Sequence, residues 1–144
     1  SLRFHYRNNQ CAGGLRHECL DQPGGCVTVQ EYSTNDCASG TRTASSAYVC
    51  GVCVGSDSTY MIVKQCESGV PVMHNCQDAA CTQCNSYTLQ MGCQYGQQLQ
   101  LQSSCPAVKV VQHENDDCST PAVEETSAYA QGVCETGMIW KCHD

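Results

Sequence analysis

Residues 29–53, VQEYSTNDCASGTRTASSAYVCGVC, lie without a gap on residues 110–134, VVQHENDDCSTPAVEETSAYAQGVC, at an offset of 81. Nine of the 25 positions are identical, where chance gives about one or two. They are Val29/Val110, Asp36/Asp117, Cys37/Cys118, Ser46/Ser127, Ala47/Ala128, Tyr48/Tyr129, Gly51/Gly132, Val52/Val133 and Cys53/Cys134. The match resumes downstream, where Met61-Ile62-Val63-Lys64-Gln65-Cys66 resembles Met138-Ile139-Trp140-Lys141-Cys142. Upstream, Cys11 and Cys26 fall near the positions of Cys93 and Cys105, so each half carries five skeleton cysteines: 11, 26, 37, 53, 66 against 93, 105, 118, 134, 142. This reads as two tandem modules, 1–70 and 71–144, with a boundary near Gly69-Val70-Pro71, where proline cannot continue a central ladder.

The pattern inside each module is short and β-branched. Strands are expected at Cys26–Tyr32, Ala47–Val54, Thr59–Lys64, Val70–His74, Gln97–Gln102, Ala107–Gln112, Tyr129–Val133 and Met138–Trp140, separated by Gly, Asn, Asp and Ser turn residues. No long stripe of period 3.6 occurs, and one helical turn at most is expected, around Gln77–Ala80. The fold class is therefore all-β, strand-rich, with little or no helix.

Such small sheets need staples, because the 144 residues hold only 22 Leu, Ile, Val and Phe against 15 Cys. That apolar surface cannot offset about 1–2 kcal/mol of backbone entropy per residue. The cysteines admit two readings. A disulfide framework, usual in small secreted domains, leaves at least one thiol over because 15 is odd. Zinc needs no even count, and the pairs Cys50-x-x-Cys53 and Cys81-x-x-Cys84 have the spacing that brings two thiolates to one tetrahedral ion. Neither pair precedes a helix that would lower a thiol pKa for redox work.

The metal reading is the primary one. Module one offers Cys11, Cys19, Cys26, Cys37, Cys50, Cys53 and Cys66; module two offers Cys76, Cys81, Cys84, Cys93, Cys105, Cys118, Cys134 and Cys142. With one histidine the set fills up to four structural zinc sites. His5, upstream of Cys11 much as Cys84 is upstream of Cys93, is the preferred extra ligand, and His17 beside Cys19 competes. His74, His113 and His143 read as surface or terminal residues. Closed thiolate sites leave no position for water, so the metal would be structural and a chelated chain would be largely unfolded.

Other chemistry is thinly represented. The chain lacks H-E-x-x-H, G-x-S-x-G and phosphate- or dinucleotide-binding glycine loops, which argues against an enzyme. Asp36 and Asp117, at one repeat position beside a shared cysteine, suit a turn. Tyr48 and Tyr129 recur with the skeleton and read as packing. The net charge of −7, with seven Lys and Arg scattered singly, argues against nucleic acid and anionic membrane. Module one is near neutral, with five cations against six acids, whereas module two has two against eight, so partner binding is expected to be shared unequally. The opening at Ser1, with no apolar leader, reads as a mature form or a recombinant piece.

Taken with the repeated SAYVCGVC/SAYAQGVC segments and the cysteine skeleton, these features resemble the cysteine-rich, zinc-bound avirulence effectors of rust fungi, of the stem-rust type with two similar modules. That resemblance implies a monomeric secreted protein that enters the host cytoplasm, acts there by protein–protein contact and is recognised by an intracellular immune receptor. The alternative class is an extracellular disulfide-rich glycan-binding module, using exposed tyrosines, or a toxin or inhibitor.

Overall fold

The computed structural model describes the chain except at residues 1, 8–9, 23–24, 104, 121, 131–133, 136–137 and 144, and describes side chains at 10–20, 25–103, 105–120 and 127–129. Fifteen strands make up the described chain: β1 Leu2–Arg7, β2 Gln10–Ala12, β3 Leu15–Gln22, β4 Cys26–Tyr32, β5 Arg42–Val49, β6 Val54–Ser56, β7 Thr59–Lys64, β8 Val72–Cys76, β9 Cys84–Thr88, β10 Gly92–Gln94, β11 Gln97–Gln102, β12 Cys105–His113, β13 Ala122–Ala130, β14 Cys134–Glu135 and β15 Met138–His143. The class is all-β. Three strands, β4, β7 and β11, run where alternation and β-branching put them. The run expected over Ala47–Val54 is instead cut at Cys50-Gly51, where Gly51 takes φ 79° and turns the chain. Residues 77–80 form a turn rather than helix, because the Asp78 carboxylate accepts the N–H groups of Thr82 and Gln83. The one helical turn is a 3-10 turn at Cys66–Ser68, between Gln65 and Gly69, both left-handed. Among the described residues no helix is long and apolar enough to cross a membrane.

The strands form a four-stranded sheet, β10-β11-β4-β5, an eight-stranded sheet, β2-β3-β12-β13-β6-β7-β8-β9, and a three-stranded sheet, β1-β15-β14. The hairpin β2–β3 of the first half pairs with β12–β13 of the second, and the hairpin β10–β11 of the second half pairs with β4–β5 of the first. Registers correspond across the repeat: Val29 faces Ser46 and Leu99, while Val110 faces Ser127 and His17. The hairpin tips correspond too, for Gly96 donates to the Asn35 carbonyl and accepts from the Tyr32 N–H, as Gly14 does with Asp116 and His113. The two halves therefore do not stand as separate modules 1–70 and 71–144; each lends a hairpin to the other's sheet. A three-residue strand has too little ladder to hold on its own hairpin, and pairing with a long strand of the other half completes it.

The backbones of the two halves meet at Gly25. A Cβ there would lie 1.8 Å from the Gln102 carbonyl oxygen, and φ is +83°. Apolar packing is modest around this crossing. Val27, Val29 and Leu99 from the four-stranded sheet meet Val63 and Met73 of the eight-stranded one, with Leu89 beside them. Val49, Val52 and Ala107 make a second cluster, and Tyr60, Cys76 and Cys81 a third. Cysteines 26, 50, 66, 76, 81 and 105 are all buried, taking core positions that aliphatic residues usually fill.

Gly25→Ala is expected to lower stability by at least about 3 kcal/mol, because both backbone angle and space exclude a methyl. Gly40→Ala, at φ 85° with nothing within 4 Å of its Cβ, bears only the left-handed cost of about 1–2 kcal/mol. Thermal unfolding of the two variants under oxidising conditions checks the difference.

Candidate functional site

The cysteines do not converge on metal. Six disulfides join Cys11–Cys118, Cys26–Cys105, Cys37–Cys93, Cys50–Cys66, Cys53–Cys81 and Cys76–Cys84, and Cys19 is also disulfide-bonded. Among the described residues no group of three or more His, Cys, Asp and Glu could hold a metal ion. The zinc reading of these thirteen cysteines is thus corrected: a sulfur bonded to another sulfur is not a thiolate and has no charge to offer a cation. Cys134, Cys142 and His5 lie outside the residues whose side chains are described.

Both C-x-x-C pairs point apart. Cys50 follows β5 and bonds Cys66, while Cys53, past the Gly51 turn, bonds Cys81; Cys84 opens β9 and bonds Cys76 directly across the strand pair. The spacing alone could not reveal this, since it fixes proximity along the chain and not the direction of each Cβ. The repeat carried a better signal. Cys11–Cys118 and Cys37–Cys93 are the same bond made twice, because Cys11 matches Cys93 and Cys37 matches Cys118.

The histidines separate in a similar way. His17, the competing ligand, is buried between β2 and β12 with 7 % of its surface exposed, and burial lowers its pKa, opposed in part by a hydrogen bond with the Gln10 backbone. His113, expected on the surface, is equally buried, with Nδ1 2.7 Å from the Thr120 carbonyl oxygen. Asp117 does serve a turn: its carboxylate accepts the Ser119 N–H, and hydrogen bonds from Ser119 hold its pKa below the usual carboxylate range. Tyr48 packs against the main core, and burial, with Tyr87 and Glu31 nearby, pushes its phenol up. Tyr87 and Tyr95 are 54 % and 91 % exposed.

Two concavities frame the surface of the four-stranded sheet. One is walled by Val49, Val52, Val54, Ile62 and Val63 and is a packing space between core clusters. The other is polar, an open depression lined by Tyr32, Ser39, Gly40 and Arg42. Its walls are ordered by hydrogen bonds: the Tyr32 hydroxyl donates to Gln98 Oε1 at 3.2 Å, and Arg42 Nη1 donates to Gln30 Oε1 at 3.0 Å. The 33–41 loop beneath is closed by Ser33 N–H to the Thr41 carbonyl, Thr41 N–H and Oγ1 to the Ala38 carbonyl, and Ala38 N–H to Thr34 Oγ1. Cys37–Cys93 fixes that loop to the β10–β11 hairpin. Neither Tyr32 nor Arg42 stood out in the sequence, since the repeat drew attention to what the halves share and this depression uses what they do not.

The disulfides set the expected response to solution conditions. Chelator should leave the thermal unfolding curve and native mass unchanged, whereas a dithiol reductant should abolish near-UV dichroism and the cooperative transition; zinc in the native mass would contradict this. Between the folded and unfolded pKa of His17 the unfolded state binds the extra proton, so its contribution is present above about pH 6.5 and is lost as the pH falls toward the folded value. His17→Leu, which copies Leu99 at the matching position of the other half, should flatten that acid-side decline in denaturant midpoints. No family model, curated protein or solved structure matches the chain.

Proposed function

We infer that the chain is a secreted, non-catalytic effector that acts by binding, with its recognition surface presented outside the reducing cytosol. The observation that carries this reading is the disulfide set. Four of the bonds, Cys11–Cys118, Cys26–Cys105, Cys37–Cys93 and Cys53–Cys81, span 107, 79, 56 and 28 residues and cross between the two halves. Bonds of this kind form in oxidising compartments and are rare in the cytosol. The cysteine-rich rust effectors that the chain resembles supply the effector role, and the absence of catalytic motifs supports contact rather than turnover. Removing zinc from the picture removes the reason to prefer a reducing site of action. Recognition by a host immune receptor then falls to the extracellular side.

A glycan-binding role is the second reading, favoured by the 91 % exposure of Tyr95. Both readings place function on the surface of an oxidised fold.

Delivery decides between compartments. Oxidised protein infiltrated into the intercellular space of a responsive host should elicit the response, and the same protein reduced and alkylated should not. A response obtained only when residues 1–144 are expressed directly in the host cytosol would overturn the extracellular reading.

A further inference from the structure

We propose that the depression formed by Tyr32, Ser39, Gly40 and Arg42, together with the tip residue Tyr95, is a binding site for a short neutral oligosaccharide. The proposal rests on the reading of the chain as an extracellular binding protein and names the class of ligand.

The site is built from groups that suit a sugar. A pyranose offers a flat face of C–H bonds and a rim of hydroxyls that both donate and accept. It therefore needs an aromatic plane and a fork of fixed polar groups, few in number and held in place before the ligand arrives. Tyr32 and Tyr95 supply aromatic surface, Arg42 supplies a planar set of donors, and Gln98 and Gln30 supply amides that accept from Tyr32 and Arg42 and keep further donors of their own. The supporting loop is tied by six internal hydrogen bonds and by the Cys37–Cys93 bond, so little ordering remains for binding to impose.

Tyr95 gives an independent reason to regard this place as selected for binding. It occupies the tip of the β10–β11 hairpin at φ 51°, a left-handed conformation that a bulky side chain rarely takes, and it is almost wholly exposed. Its counterpart at the tip of the β2–β3 hairpin is Gly13, at φ 58°. The same turn is thus made with glycine where nothing but the turn is required. Folding gains nothing from a tyrosine that is both strained and solvated, whereas a ligand does. The backbone of the tip is joined to the residue that walls the depression, since the Gly96 carbonyl accepts the Tyr32 N–H at 2.7 Å.

The other half of the repeat serves as an internal control. At the positions of Tyr32, Gly40, Arg42, Gln98 and Tyr95 it carries His113, Pro121, Val123, Arg16 and Gly13, and His113 is turned inward. The hairpin-swapped frame is common to both halves, but the polar site belongs to one. The charge balance selects a neutral ligand. No salt bridge among the described residues reaches Arg42, and the whole chain carries −7, so an acidic polymer would be repelled.

The test is titration of the oxidised full chain with a panel of neutral and uronic-acid oligosaccharides, read by calorimetry and by shifts of the Tyr and Gln resonances. Saturable binding of a neutral oligosaccharide is expected, at least about tenfold weaker in Tyr95→Gly and in Arg42→Gln and within about twofold of the parent in Tyr87→Ala. Tyr95→Gly should keep or raise Tm, because its backbone angle suits glycine; loss of affinity in that variant then reports lost contact and not lost fold. Binding of none of the neutral oligosaccharides, binding confined to uronic-acid oligosaccharides, or unchanged affinity in Tyr95→Gly would each overturn the proposal. A chain that elicits the host response from the intercellular space yet binds no sugar would sink this inference alone and leave the extracellular reading standing.

Discussion

Cys26–Cys105 joins the first residue of β4 to the first residue of β12, across 79 residues of chain and beside the contact of Gly25 with Gln102. The rest of the structure depends on this crossing being closed. On either side of it a hairpin leaves its own half and completes the other's sheet, and Cys11–Cys118 and Cys37–Cys93 hold those two hairpins where they land. Loops this long carry a large closure entropy in the unfolded chain, so each bond contributes about 2–5 kcal/mol, an amount comparable to the net stability of a whole domain. With few aliphatic residues, the apolar clusters need these bonds beside them to offset the entropy of ordering the chain.

The interlocked arrangement explains why function can be asymmetric on a symmetric frame. Because each sheet draws strands from both halves, neither half is free to drift in backbone geometry without disturbing the other. Their surfaces are under no such restraint. The shared skeleton keeps Val29 and Val110, Tyr48 and Tyr129 in matching registers, while Tyr32 and His113, or Tyr95 and Gly13, diverge completely. A frame with matching registers and one differentiated face is a direct way to place a binding site on rigid elements.

Particular residues show how far the primary structure could be read. β4, β7 and β11 were legible because alternation and β-branching are local properties, and the pleat converts them directly into faces. Residues 50–53 were not, since the turn at Gly51 overrides a strand-like composition on both sides. The zinc reading failed at Cys50, Cys53, Cys81 and Cys84 for a related reason. Their spacing is equally compatible with one metal ion and with sulfurs diverging to Cys66, Cys81, Cys53 and Cys76, and only the directions of the side chains separate the two. Of the polar depression, the sequence flagged exposed tyrosines as a class but not Tyr32 with Arg42, which meet across the strand pair β4–β5 and gain their orientation from Gln98 and Gln30.

By itself, then, the sequence determined the all-β class, the repeat with its shared cysteines and the need for covalent or metallic staples, because patterning, identity and the shortage of apolar side chains are all properties of the linear chain. Tertiary structure alone decided that the two halves exchange hairpins, which sulfur meets which, that His113 is buried, and that Tyr95 stands strained and exposed beside a polar depression. Those outcomes depend on strand pairing between the two halves and on disulfides that span 56 and 107 residues, and the free energy of such contacts is a property of the closed three-dimensional network that no local window contains.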